Sequence, residues 1–217
     1  MARLRVGVLI SGRGSNMQAL MQAAADPDYP AEVVQVISNH ADALGLARAR
    51  EMGIPTAVIN HRAFNAKTGF EAAVDSVLRN ARVDLVCLAG FMRILTPFFV
   101  ERWYNRLLNI HPSLLPAYKG LETHERVLAD GVRVTGCTVH FVRPAMDEGP
   151  IIVQAAVPVL PGDDVEKLSK RVLAAEHVCY PLAIRLLAEG RVEVVDEKVV
   201  LHGALPPATP ALINPAG

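Results

Sequence analysis

The sequence predicts an α/β fold with a mostly parallel central sheet and an antiparallel extension in its C-terminal half. Over the first hundred residues, short apolar runs typical of strands buried on both faces alternate with helical patterns. Beyond residue 105, two longer apolar runs follow one another with only a turn between them, and such a short connection joins antiparallel strands. The 217 residues are 51% hydrophobic, so the chain can bury a substantial core.

The first half is predicted to hold four buried strands separated by helices. Residues 6–10 form a continuous apolar run, and Met17, Leu20 and Met21 then recur at helical spacing. The later elements are a strand at 33–37, a helix at about 41–51, a strand at 56–59, a helix at about 70–80 and a strand at 83–88.

The second half is predicted to begin with a strand at 107–111, followed by a loop at 113–120 and a helix at about 122–129. Its later elements are strands at 132–142 and 151–159 around a turn at 143–150, a helix ending near 189, and short strands near 192–195 and 199–201. Asp163 or Asp164 caps the long helix, and Gly190 closes it. We expect one domain over 1–203 and an irregular tail over 204–217, with prolines at 206, 207, 210 and 215.

Composition argues against several classes of protein. Lys+Arg and Asp+Glu number 22 each, so a broad grip on nucleic acid or an anionic membrane is not expected. Cys87, Cys137 and Cys179 are odd in number and far apart, which favours reduced, buried thiols. The chain has no CxxC or HExxH motif and no apolar run near the ~20 residues that span a bilayer. We therefore expect a cytoplasmic protein without a metal.

A glycine-containing turn follows the first strand and suggests an anion site. Gly12 and Gly14 leave free backbone N–H groups at the positive end of a helix, and Ser15 and Asn16 add side-chain donors. A simple tight turn is the alternative interpretation. Met17 stands where a dinucleotide motif needs its third glycine, and no Gly-Lys-Ser/Thr is present, so a monophosphate fits better than NAD or ATP.

A polar cluster at the end of the 107–111 strand is the strongest chemical signal. Asn109 and His111 are two residues apart, so they point to one face near the strand's carboxyl end. An amide beside an imidazole can stabilise a developing oxyanion, although both groups can also be structural. Asp147 lies in a turn where a solvated carboxylate is usual, and in contact with His111 it would stabilise an imidazolium. His140 is a secondary candidate, with a structural role as its alternative.

Two further stretches are candidate binding elements. Glu176 falls on the apolar stripe of the long helix, so it must pair with an arginine, face a cleft or reach a ligand amine or hydroxyl. Pro181 removes a donor just beyond and is expected to kink that helix. Residues 89–95 follow a buried strand and combine a glycine with aromatic and aliphatic side chains, which suits either an apolar slot or core packing.

These motifs closely resemble those of the phosphoribosylglycinamide formyltransferases, folate-dependent enzymes of purine synthesis. The resemblance runs over nearly the whole chain, to about residue 181. The matching stretches are VLISGRGSN at 8–16, LAGFMRIL at 88–95, LLNIHPSLLP at 107–116, TVHF at 138–141, DEGP at 147–150 and EH at 176–177. The resemblance implies a three-layer, Rossmann-like formyltransferase fold, with a phosphate-binding half at 1–105 and a catalytic, folate-binding half at 106–203.

The resemblance also implies a reaction and a site. The formyl group of 10-formyltetrahydrofolate would pass through a tetrahedral intermediate to the amine of glycinamide ribonucleotide, in a monomer or homodimer without metal, NAD or ATP. The implied catalytic residues are Asn109, His111 and Asp147. The implied glycinamide ribonucleotide contacts are Gly14, Ser15, Asn16, Leu173, Ala174, Ala175 and Glu176. The implied folate contacts are Lys67, Met92, Arg93, Ile94, Leu95, Asn109, Arg143, Pro144, Ala145, Met146 and Asp147.

Three other functions serve as alternatives. A methionyl-tRNA formyltransferase is expected to be longer and more basic, and a formyltetrahydrofolate hydrolase is expected to carry an N-terminal regulatory domain. A non-catalytic module that binds a phosphorylated metabolite would keep the glycine turn but leave Asn109, His111 and Asp147 without a role.

Overall fold

The computed structural model describes residues 2–203 together with Leu212 and Asn214. Seven strands form one sheet in the order β3-β2-β1-β4-β5-β6-β7, and the last two strands form a separate hairpin. The strands are β1 (Leu4–Ile10), β2 (Ala31–Ser38), β3 (Thr56–Val58), β4 (Leu85–Leu88), β5 (Leu107–His111), β6 (Val134–Phe141), β7 (Ile151–Pro158), β8 (Val192–Val195) and β9 (Lys198–Leu201). The pairings from β3 through β5 are parallel, whereas β5–β6 and β6–β7 are antiparallel. The predicted fold class is confirmed.

Helices cover both faces of the sheet. They are α1 (Ser15–Ala24), α2 (Leu44–Glu51), α3 (Lys67–Asn80), α4 (Pro97–Arg102), α5 (Thr123–Ala129) and α6 (Val165–Ala188), with a short 3₁₀ turn at His61–Ala63. Successive residues of β1 point to opposite faces: Val8 and Ile10 enter the core that includes residues of α1 and α6, and Leu9 enters the core that includes residues of α3 and α4. All three are fully buried, which accounts for the continuous apolar run of this strand.

Two details differ from the sequence-based expectations, and one agrees with them. Helix α2 begins at Leu44 rather than 41, because residues 39–43 form a turn instead. Helix α4 was not expected, since six residues are too few to show a helical period. Its start is fixed by a distant contact, in which the buried Glu71 carboxylate accepts hydrogen bonds from the backbone N–H and hydroxyl of Thr96. Helix α6 agrees with the prediction of a helix ending near 189, since it continues through Pro181 to Ala188.

The order in which strands are added to the sheet reverses between β1 and β4, and this creates a crevice at the carboxyl ends of these two strands. The chain runs outward from β1 through β2 to β3, then returns to place β4 on the other side of β1. Ligands of open α/β sheets bind at such a point. Ser11 joins the two loops that border the crevice: its N–H donates to the Gly90 carbonyl at 3.1 Å, and its hydroxyl accepts from the Met92 N–H at 2.8 Å.

Helix α6 reaches the same end of the sheet. The Tyr180 hydroxyl is fully buried and lies 3.0 Å from the carbonyl oxygen of Leu88 and 3.3 Å from that of Leu108. These carbonyls belong to the end of β4 and to the residue before Asn109. Glu176 lies one helical turn before Tyr180, so α6 brings this carboxyl group near the carboxyl ends of the central strands.

The three cysteines are buried and free, and burial raises the pKa of the Cys87 thiol to about 12. Reduced, buried thiols were the expectation. Within residues 2–203, no helix combines the length and hydropathy that a bilayer crossing requires. The four tail prolines lie outside the described residues.

Strand pairing between β6 and β7 leaves no room for a side chain at Gly136. A Cβ atom there would lie 1.8 Å from the Ala155 carbonyl oxygen, which is backbone and cannot move aside. We expect Gly136→Ala to lower the free energy of unfolding by at least about 2 kcal/mol in urea titrations. Gly69→Ala on α3 is the matched control, since its Cβ would make an ordinary 3.5 Å contact with Phe64; it should be neutral or stabilise by up to about 1 kcal/mol. Equal effects of the two changes would contradict this account.

Candidate active site

The glycine-containing turn forms a backbone cradle at the start of α1. Gly14 is the N-cap residue, with a φ of 68° that favours glycine, and no side chain caps the first turn. The cradle packs closely on α2, because the Gly45 N–H donates to the Gly12 carbonyl at 3.1 Å. The first N–H groups of a helix attract anions. The local geometry is therefore that of an anion site, with Ser15 and Asn16 in the first turn.

Asn16 also contacts Glu176, 160 residues away. The Asn16 Nδ2 group donates to Glu176 Oε2 at 2.6 Å, and both residues are buried. The partner of Glu176 is thus an amide rather than the arginine that the sequence left open. Burial raises the pKa of Glu176, and the bond from Asn16 lowers it by a smaller amount. The other amide atom, Asn16 Oδ1, is buried without a hydrogen-bond partner, so this corner of the protein can accept a hydrogen bond from a ligand.

The fold brings Asp147 to His111. His111 Nδ1 lies 3.4 Å from Asp147 Oδ2, and the two side chains are only 7% and 11% exposed. The alternative of a solvated carboxylate does not apply, because the N–H of Gly120 donates to Asp147 Oδ2 at 2.8 Å and the side chain is largely buried. His111 Nε2 lies 2.8 Å from the carbonyl oxygen of Tyr118. Both ring nitrogens therefore face oxygen atoms, Nε2 at hydrogen-bond distance and Nδ1 in a longer contact with the carboxylate.

Asn109 is oriented by His140 on the neighbouring strand. The two residues are register partners between β5 and β6, and Asn109 Nδ2 lies 3.4 Å from His140 Nε2. His140 Nδ1 lies 2.9 Å from the carbonyl oxygen of Phe141 and donates to it, which leaves Nε2 as the acceptor for the amide. Burial lowers the pKa of His140 and so favours this neutral form. The second amide hydrogen of Asn109 remains available to a ligand.

One cavity of about 710 Å³ contains Asn109, His111, His140 and Asp147. Its wall is formed by residues 90–95, 120–123 and 142–147. Several apolar side chains around it are exposed to solvent: Met92 (69%), Ile94 (67%), Leu121 (78%) and Met146 (55%). A polar group of four residues inside an apolar cavity of this size is typical of a site for an organic ligand.

Not all of the residues implied by resemblance reach this cavity. Met92, Arg93, Ile94, Leu95 and the 143–147 turn line it, but Lys67 is exposed at the first residue of α3 and does not. The residues implied for glycinamide ribonucleotide also lie outside its lining: Gly14, Ser15, Asn16, Leu173, Ala174, Ala175 and Glu176. Arg143 lines the cavity, yet its guanidinium is bonded to Glu197, Asn105 and the Val142 carbonyl.

Sequence reasoning missed the 120–123 segment. The Gly120 N–H fixes Asp147, and Leu121 contributes an apolar wall, but both lie in a short loop without a motif. The available signal in the sequence is Leu121, an apolar residue between Gly120 and Glu122. Among the described residues, no group of three or more His, Cys, Asp or Glu side chains is arranged to hold a metal ion.

Comparisons with known proteins agree on one family. The formyl transferase family profile matches residues 4–184. The chain is 44% identical over 203 residues to phosphoribosylglycinamide formyltransferase of Haemophilus influenzae, covering 93% of this chain and 96% of that protein. The solved structure of glycinamide ribonucleotide transformylase 1 from Symbiobacterium toebii is 51% identical with a TM-score of 0.90, covering 92% of this chain and 94% of that one.

Longer relatives contain the same unit. The chain is 53% identical over 192 residues to the trifunctional purine biosynthetic protein adenosine-3 of Gallus gallus, covering 88% of this chain and 19% of that protein. The chain thus spans about a fifth of the length of the trifunctional relatives that it matches.

The fold and cavity define an α/β protein with an amide, an imidazole and a carboxylate grouped at the carboxyl ends of its parallel strands. With the matches above, the chain belongs to the formyl transferase family.

The buried Glu176 carboxyl predicts a pH-dependent stability difference. Because burial raises its pKa in the folded state, the ionised form weakens folding, and this loss develops as the pH rises through the raised pKa. We expect Glu176→Gln to unfold at a higher urea concentration than the parent protein at about pH 8, with the advantage shrinking at about pH 4. Glu51→Gln, which removes an exposed carboxylate from α2, is the control. A Glu176→Gln advantage that does not change with pH would contradict this origin.

Proposed function

We propose that this chain transfers the formyl group of 10-formyltetrahydrofolate to the amine of glycinamide ribonucleotide, giving formylglycinamide ribonucleotide and tetrahydrofolate in purine synthesis. The observation that carries the proposal is the grouping of Asn109, His111 and Asp147 in one apolar cavity, beside an anion cradle at the same end of the sheet. The names of the Haemophilus influenzae and Symbiobacterium toebii relatives support the choice of acceptor.

The α1 cradle and Glu176 suit the acceptor substrate. The phosphate of glycinamide ribonucleotide would accept hydrogen bonds from the backbone N–H groups at Ser15 and Asn16, where the helix dipole favours negative charge. The unpartnered Asn16 Oδ1 and the buried Glu176 carboxyl would accept hydrogen bonds from the ribose hydroxyls or the glycinamide portion. Leu173, Ala174 and Ala175 would support this contact from the preceding turn of α6.

The large cavity suits the folate. Its apolar wall at Met92, Ile94 and Leu95 would hold the flat pteridine ring, and the backbone of the 143–147 turn would supply hydrogen bonds to the ring's polar edge. Arg93 and the exposed Lys67 are the candidates for the acidic tail of this substrate. The bound folate supplies the formyl group to be transferred.

Asn109 and His111 would stabilise the charge that develops on the formyl oxygen as the amine lone pair attacks the formyl carbon. The second Asn109 amide hydrogen is directed by His140 and can donate to that oxygen. The contact of His111 Nδ1 with Asp147 at 3.4 Å is longer than a charge-assisted hydrogen bond, so this ring nitrogen would be free to donate to the substrate. Asp147 would orient His111 and relay the proton lost by the attacking amine, through water, to the departing folate nitrogen.

We further propose that residues 1–203 work as one domain, in which each half contributes to both substrate sites. Asn16 and Glu176, from opposite halves, form one contact, and the cavity wall likewise combines residues 90–95 with 142–147. The neutral net charge and the buried thiols support a cytoplasmic enzyme, monomeric or homodimeric, that acts on small molecules rather than on nucleic acid or membranes.

Asn109→Ala removes one oxyanion donor while leaving the substrate cradle intact. We expect its kcat for formyl transfer to fall by roughly 10²–10³, with little change in the KM for glycinamide ribonucleotide. Asn80→Ala, at the exposed end of α3, is the matched control and should keep full activity. An Asn109→Ala protein with near-normal turnover would exclude this residue from the reaction.

The choice of reaction is tested by changing the acceptor. A spectroscopic assay of tetrahydrofolate formation should report turnover with glycinamide ribonucleotide, but none with charged initiator tRNA and none with water alone. Turnover with the tRNA or with water would favour the alternative formyltransferase or the hydrolase. Binding of both small substrates without formyl transfer would favour a non-catalytic binding module.

A further inference from the structure

The β8–β9 hairpin forms an ion pair with Arg143, a residue that lines the proposed folate cavity. Its two-residue turn consists of Asp196 and Glu197, both with positive φ (47° and 57°), as in tight hairpin turns that match the strand twist. The hairpin lies beyond the 4–184 match to the family profile and contributes no residue to the cavity lining. Its tip nevertheless contacts the polar side of the 143–147 turn.

Glu197 holds the Arg143 guanidinium through both carboxylate oxygens. Arg143 Nε donates to Glu197 Oε2 at 2.6 Å, and Nη2 donates to Oε1 at 3.2 Å. The Tyr104 hydroxyl donates to the same carboxylate, and the guanidinium lies 4.1 Å from the centre of the Tyr104 ring. Nη2 also donates to Asn105 Oδ1 at 2.8 Å. The Arg143 side chain is only 10% exposed, so the contact is fixed on several sides.

This cluster connects the hairpin to two segments that lead to the catalytic group. Tyr104 and Asn105 lie in the connection that leads into β5, which carries Asn109 and His111. Arg143 begins the turn that carries Asp147, four residues later. The last residue of the turn, Asp147, is held separately, because it accepts a hydrogen bond from the Gly120 N–H.

The position of the first residues of the turn depends on the contacts of Arg143. After β6 ends at Phe141, the Val142 N–H donates to the Leu107 carbonyl at 2.9 Å. The next residue, Arg143, is held through its side chain, which donates to Glu197. Residues 144–146 then form the cavity wall. Because the guanidinium is engaged by Glu197, Asn105 and the Val142 carbonyl, it acts as an anchor for the turn rather than as a group that binds the folate carboxylates.

We propose that Glu197 is a positioning residue, which holds Arg143 and thereby fixes the 143–147 turn against the folate cavity and Asp147 against His111. The catalytic consequence rests on the proposed formyl transfer. The effect is selective: it concerns the folate and the Asp147 contact, and it leaves the α1 cradle unaffected. The Arg143 bond, and after it the Tyr104 bond, also lowers the pKa of Glu197, so the carboxylate remains charged in the working range of the enzyme.

The test compares Glu197→Gln with Glu193→Gln. Both remove one carboxylate from the same hairpin, but Glu193 faces His202 at 2.8 Å and does not contact the turn. We expect Glu197→Gln to raise the KM for 10-formyltetrahydrofolate by roughly three- to tenfold and to lower kcat, with the KM for glycinamide ribonucleotide unchanged. Glu193→Gln should match the parent protein. Arg143→Met should show the same loss, and the double variant no greater loss than Arg143→Met alone.

A second measurement does not depend on catalysis. Hydrogen exchange of the backbone amides in 143–149 should be faster in Glu197→Gln than in the parent protein or Glu193→Gln, with no change at 11–16. If the parent protein transfers no formyl group to glycinamide ribonucleotide, the proposed function fails, and the exchange comparison still decides whether Glu197 holds the turn. Unchanged exchange at 143–149 would overturn the proposal, as would equal increases in KM for both substrates.

Discussion

The contact between His111 and Asp147 is the interaction on which the rest of the site depends. Their 3.4 Å separation requires three segments to meet: the end of β5, the 113–120 loop and the turn after β6. The loop supplies a carbonyl to one imidazole nitrogen and an N–H to the carboxylate, so the pair is enclosed without an unsatisfied buried charge. In the proposed reaction, a change that moves one of these segments would alter the stabilisation of the formyl oxygen.

In the proposed reaction, the sheet topology would let two substrates meet at this pair. The reversal between β1 and β4 opens a crevice whose two borders are joined by Ser11. The antiparallel strand β6 then places His140 opposite Asn109 and leads directly into the turn with Asp147. The antiparallel extension thus orients Asn109 and leads into the turn that carries Asp147.

Local patterns predicted much of this arrangement. The buried strands follow from their apolar runs, and the common face of Asn109 and His111 follows from the two-residue period of a strand. The sequence could not predict the contacts between distant segments. The Asn16–Glu176 bond, the burial of Asp147 beneath Gly120 and the hold of Glu197 on Arg143 each join residues 27 or more positions apart. Such contacts leave no local periodicity, and the six-residue α4 is too short to show one.

The coupling between His111 and Asp147 is tested most directly by single-turnover formyl transfer with saturating substrates. The rates of His111→Ala, Asp147→Asn and the double variant form a thermodynamic cycle. If Asp147 acts through His111, each single change slows transfer by on the order of 10² or more, and the double variant is no slower than the slower single variant. Losses that multiply in the double variant would mean that the two residues act independently, and this would contradict the account.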